Sequence, residues 1–225
     1  MTKQFQILIV CLGILIMFGL FKNKASGPPE ENFWAWFEKN ETRIFALESN
    51  REQIFDEVGT NMHKINSSLT FEFSPVLPNG KREFVISADG DKSAFPAVES
   101  LHKQAPILER WTWVKFRPRI SIKGFKIEMH GKTISTDDVN YLLFKADDKN
   151  KVGIMMFFDG YNEENKNIFG QIGFILLDST LGEYAVETQV DFVEFQSRES
   201  EHFSKSMPLD ELQAHFDEYF ERKVH

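Results

Sequence analysis

Asp89 and Asp91 lie two apart around Gly90 in the stretch SADGDKS, residues 87–93. Two carboxylates at that spacing could hold a hard cation or aim one carboxylate at a substrate. The same residues also read as turn chemistry. Asp-Gly marks a tight turn, and Asp91 can cap a helix that starts near Lys92 or Ser93. A metal would need further ligands, and Asp159, Asp178 and Glu183 are acids that could contribute. The first reading makes the chain a metal-assisted hydrolase with Asp89 and Asp91 as its catalytic pair. The second makes them a turn and a cap.

Other chemistry is sparse. The chain contains no GxSxG, HExxH, GxxxxGK[ST] or GxGxxG, and no EF-hand spacing. Its six histidines, at 63, 102, 130, 202, 215 and 225, never share metal-ligand spacing on one helix face. His102 and His215 read as rim or surface residues beside helical stripes. The single cysteine, Cys11, sits inside an apolar run, which excludes a disulfide, a thiol nucleophile and a cysteine zinc site in the rest of the chain. No cofactor is expected. In LGEY, residues 181–184, Gly182 is expected at positive φ, and Glu183 is either a solvated turn residue or a buried acceptor for backbone amides.

Charge narrows the partners. The chain carries 26 basic and 34 acidic residues, and Lys3, Lys22 and Lys24 fall in a 28-residue opening without acids, leaving about −11 on the remainder. Nothing in that balance draws the domain to a nucleic acid. The most basic stretch, KFRPR at 115–119, reads as a solvated strand end, with an anion site as the alternative.

Several elements must position these residues. FWAWFEKNETRIFAL has Phe33, Trp36, Phe37 and Ile44 on one helical face, with Trp34 off it. FWAWF also raises the possibility of rings resting in a lipid headgroup layer, against plain core packing. A second helix runs near 51–65 on Ile54, Val58, Met62 and Ile65. TFEF and REFVIS form a hairpin across PNG, and a helix follows SADGDKS through Leu101. WTWVKF is a strand. ISIKGFKIEM is another, with a β-bulge where its parity flips at Gly124. YLLFKA and VGIMMFF flank a polar hairpin tip, and VGIMMFF, apolar on both faces, belongs at a sheet centre. NEENKNIFGQIGFILLDSTLGEY holds a helix with Ile168, Ile172 and Ile175 in register, although Gly170 and Gly173 disfavour one. VDFVEF is a strand, and the last helix has Leu209, Leu212, Phe216 and Phe220 as its stripe. The pattern predicts an α+β fold with a mainly antiparallel sheet and packed helices, and no internal repeat.

Ahead of this lies an apolar run from Phe5 to Phe21, about 17 residues, which as a helix spans roughly 25 Å. It is longer than a signal-peptide core, and Pro28 follows the nearest small-residue site. Val10 before Cys11 does not fit a lipid-attachment box. Apolar residues occupy every face, unlike a buried core helix. The run is therefore expected to be a single-pass transmembrane anchor within residues 1–24, followed by a linker at 25–32 and one α+β domain at 33–225. Counting bases leans slightly toward a cytoplasmic domain and leaves the side open.

FWAWF, FEF with REFVISADG, Ala105-Pro106 followed by Trp111, and LLDSTLGEY before a strand ending VEF occur in this order. Together they resemble a family of uncharacterised bacterial α+β proteins over most of residues 31–196. The resemblance implies a bacterial origin, a single α+β domain and FWAWF as part of the fold. The family carries no established activity, so it assigns no residue a role.

The expectation is then a membrane-tethered module that binds a protein or peptide. One variant is an immunity-type protein whose acidic surface masks a basic toxin. The alternatives are the Asp89/Asp91 hydrolase and a structural envelope protein that self-associates through an apolar patch.

Overall fold

The computed structural model describes residues 27–221. The predicted membrane span, Phe5–Phe21, lies outside the described residues, and no helix among those described is long and apolar enough to cross a membrane.

Helix α1 (Pro29–Phe45) begins inside the stretch expected to be linker. Pro29 starts the helix, because a proline at the first position gives up an N–H that has no helical partner anyway. Glu30 and Glu31 in the same turn suit the positive end of the helix dipole. The buried face holds Phe33, Trp34, Phe37 and Ile44. Trp34, expected off that face, is buried and donates its indole N–H to the Leu101 carbonyl at 2.8 Å. Trp36 is only partly buried. Helix α2 (Arg51–Met62) buries Ile54, Val58 and Met62.

Strands β1 (Thr70–Phe73) and β2 (Arg82–Ser87) form the expected antiparallel hairpin. Helix α3 (Phe95–Lys103) then crosses to β3 (Trp111–Lys115), which lies parallel to β2. The sheet order is β1-β2-β3. Phe71, Phe73, Phe84, Ile86, Trp111 and Trp113 pack with all three helices in one core. Because strand side chains alternate, Glu72, Glu83 and Val85 turn to the opposite face.

Residues 120–125 form no strand, and Gly124 (φ 72°) belongs to a turn instead of a bulge. β4 (Lys126–Met129) and β5 (Lys132–Ser135) pair across His130-Gly131, both at positive φ (49° and 74°), as a two-residue hairpin turn requires. β6 (Asn140–Lys145) and β7 (Val152–Phe158) are antiparallel, and all seven residues of β7 are buried. Helices α4 (Lys166–Leu181) and α5 (Glu183–Gln189) lead to β8 (Val190–Ser197), parallel to β7. β9 (Met207–Pro208) and α6 (Leu212–Glu221) complete the described chain, and this sheet runs β8-β7-β6-β9.

The architecture is α+β. Antiparallel pairs outnumber parallel ones, but both larger sheets are mixed. The reason is a unit that occurs twice: a hairpin, a helical crossover, then a strand parallel to the hairpin's second strand. The central strand of each unit is followed by Asp-Gly, Asp89-Gly90 and Asp159-Gly160, with both glycines at positive φ (80° and 69°). The sequence shows no repeat because only topology and this turn recur. Each unit has its own hydrophobic cluster, one drawn from residues 33–116 and the other from 122–216.

Candidate functional site

The two clusters meet at the segment expected to be a solvated basic strand end. Phe116 is buried at φ 61° and donates its N–H to the Ile86 carbonyl at 2.7 Å, carrying the chain off β3. Arg117 then bonds Glu72 at 2.5 Å and Asp89 at 2.7 Å. Burial works against its charge, and those two carboxylates outweigh it, so its pKa is raised. Arg119 donates to the Leu181 carbonyl and reaches Asp217 of α6, each at 2.8 Å. KFRPR is therefore a junction, and its cations are taken up by partners from both units.

Glu183 faces it. Its side chain is fully buried. One oxygen accepts the N–H of Ala88 at 2.9 Å and of Gly90 at 3.4 Å, and the other accepts the N–H of Arg117 at 2.9 Å. The Glu183 N–H returns a bond to the Arg117 carbonyl at 3.1 Å. Of the two readings open for LGEY, the buried amide acceptor is the one found. Gly182 takes the expected positive φ of 84°, which turns α4 into α5 and brings the backbone against Arg117 and Arg119. LGEY thus enters a short helix before the strand.

Asp89 and Asp91 have different partners. Asp91 accepts from the backbone N–H and hydroxyl of Ser93 at 3.0 and 2.6 Å, which caps the turn leading into α3. Those Ser93 bonds and one with Ser68 hold its pKa below the usual value. Asp89 sits at φ 50° and pairs with Arg117. Among the described residues, no three histidines, cysteines or carboxylates are grouped so as to hold a metal ion. Asp159, one of the three acids that could have contributed, lines a different, smaller cavity with Arg198 and Lys132.

Asp178 and Glu183 do reach the Asp89 loop, and Glu187 joins them. A Cβ on Gly90 would stand 3.2 Å from the Glu187 carboxylate. Asp178 lies one turn before Gly182. Burial, reinforced by the charge of Glu183 and opposed by Arg117, pushes its pKa up to about 7. Burial and Glu183 also raise Glu187, against Lys92. Neither side chain has a hydrogen-bond partner among the described residues.

These acids border one end of a cleft of about 1220 Å³ between the open face of the β1-β2-β3 sheet and α4. Glu72, Glu83 and Val85 form the sheet wall, and Gln171, Phe174 and Ile175 form the helix wall. Phe174 and Ile175 are 46% and 42% exposed, and Ile120 beside them is 46% exposed. Ile175 was expected in the buried register of α4 with Ile172. Instead, α4 buries Phe169, Ile172, Leu176 and Leu177 and turns a second apolar strip outward. The signal was present: apolar residues run round most of this helix, more than one buried face needs. Nothing in the spacing identified Arg117 or Glu187 as parts of one site, because Asp89 lies 28 positions from Arg117 and Gly90 lies 97 positions from Glu187.

Comparison of the chain with protein-family models, with curated proteins and with solved structures gives no match.

Proposed function

We propose that this chain is a binding module that takes a protein segment or peptide in the cleft between the β1-β2-β3 sheet and α4, tethered to a membrane by residues 5–21. The observation that carries the reading is the exposed apolar strip Phe174 and Ile175 on a concave surface. Ligand sites are concave and largely apolar, with a few polar groups that fix orientation. Grooves with an apolar wall recognise an extended chain or a short amphipathic helix. The hydrolase reading has less behind it, since Asp91 caps a helix and Asp89 is paired with Arg117.

The test is selection of twelve-residue displayed peptides on the full-length chain in nanodiscs. Peptides that bind at micromolar Kd and lose about tenfold or more, 1.4 kcal/mol, on Phe174→Glu and Ile175→Glu support the reading. Both side chains are half-exposed, so far-ultraviolet circular dichroism and melting should confirm that the variants remain folded. Absence of enriched peptides, or enriched peptides indifferent to both substitutions, overturns it.

A further inference from the structure

We infer that the peptide held in this cleft presents a lysine or arginine side chain to Asp178 and Glu187, its aliphatic stem lying along Phe174 and Ile175. The inference rests on the binding reading above and names the chemistry of its ligand.

The groove is asymmetric in character. At its middle, α4 offers the ring of Phe174 and the branched chain of Ile175. Asp178 follows three and four positions later, the spacing at which helical side chains are neighbours on one face. An apolar patch next to a carboxylate matches a long side chain with an apolar stem and a cationic head.

Charge complementarity sets the sign. Five carboxylates line the cleft, Glu72, Glu83, Asp89, Asp178 and Glu187, against two basic side chains, Arg117 and Lys166. Arg117 is already bonded to Glu72 and Asp89. Lys166 is ion-paired with Glu163. The buried carboxylate of Glu183 is occupied by three backbone amides. Glu83, Asp178 and Glu187 remain without an opposite charge bonded to them, and of these Asp178, one turn along α4 from the apolar strip, and Glu187 are partly desolvated. A carboxylate in that position either takes up a proton or gains a cation. Burial opposes ionisation of both. A ligand cation would reverse that, and it would gain more there than at a fully solvated surface. A peptide with an acidic residue at the same point would meet like charges.

The experiment uses the peptides selected on the full-length chain. The chosen basic residue is replaced by norleucine or by glutamate, and Kd is measured by fluorescence anisotropy on the parent chain and on the Asp178→Asn/Glu187→Gln variant. The expected result is enrichment of lysine or arginine beside an apolar residue. Norleucine should then cost about tenfold on the parent chain and less than about twofold on the variant. Affinity for the lysine peptide should fall from pH 8 to pH 5.5 as Asp178 takes up its proton, while the norleucine peptide changes little. If peptides bind and depend on Phe174 but tolerate norleucine or glutamate equally, the cation inference fails and the binding reading stands. If no peptide binding depends on Phe174, both fail.

Discussion

Glu183 puts one buried carboxylate where three backbone amides from two separate loops converge. A charged acceptor of this kind contributes more than a neutral one, and removing it leaves buried donors unsatisfied. Glu183→Ala is expected to lower stability by about 3–5 kcal/mol, read as a drop in the urea midpoint. Glu183→Gln recovers part of that, because its amide oxygen still accepts while its NH₂ confronts an N–H. An alanine variant within 1 kcal/mol of the parent would show that water replaces the carboxylate. Asp178, one turn earlier, acts in the opposite sense. Its pKa is about 7 in the folded chain, against an ordinary value of 3.8. Between those values the folded state holds a proton that the unfolded state has released, so this residue makes stability fall as pH rises from about 4 to about 7. Glu187, also raised, adds to the slope. Asp178→Asn should therefore melt higher than the parent at pH 8 and match it near pH 4. Equal melting shifts at both pH values would rule out Asp178 as the source of the slope.

The glycines of α4 are where an element depends on what is missing from it. A Cβ on Gly173 would stand 2.1 Å from the Phe195 ring, so β8 seats its phenyl group directly against the helix backbone. Gly173→Ala gains about 1 kcal/mol of helix propensity and loses more to overpacking, for a net destabilisation of about 1–3 kcal/mol. Phe195→Leu in the same chain should recover part of the loss, and a double-mutant cycle by urea unfolding measures the coupling. Strict additivity would mean that the two residues are not in contact. The same pair shows how far a sequence can be read. Gly170 and Gly173 argue against the helix by propensity alone, and only the ring from β8, 22 positions away, explains the second glycine. VGIMMFF was legible as a central strand because burial on both faces writes an uninterrupted apolar run. Its parallel partner was not, since nothing within β8 encodes which edge of β7 it joins. Asp91 was legible as a cap because its partner, Ser93, is two residues away. Arg117 looked solvated because Glu72 and Asp89 approach it only through the fold.

The described residues form two units with separate hydrophobic clusters, joined through polar ties and the packing of the Tyr184 ring on Phe95 and Phe116. That division has a mechanical consequence. Glu183 belongs to neither cluster, yet it bonds the Asp89 loop of one unit and the connecting segment at Arg117. Arg119 adds a second tie to Leu181 and Asp217. Apolar contacts hold each unit together over many side chains, while a few directional bonds, beside the packing of Tyr184 on Phe95 and Phe116, set how the sheet wall and the helix wall of the cleft face each other. Loss of those bonds should loosen the cleft before either cluster comes apart. The only cysteine is Cys11, so a Cys11→Ser chain carrying Val76→Cys and Asn167→Cys takes spin labels at two defined points, one in the loop between β1 and β2 and one on α4. Val76 is 49% exposed and Asn167 is exposed, so neither label disturbs a core. Double electron–electron resonance should give one narrow distance distribution for the parent and a broader, longer one for Glu183→Ala. Circular dichroism should remain close to that of the parent, because both clusters are intact. An unchanged distribution in Glu183→Ala, with its stability lowered as expected, would assign the geometry of the cleft to the arginine ties instead. The Arg119→Ala chain would then be the one to broaden.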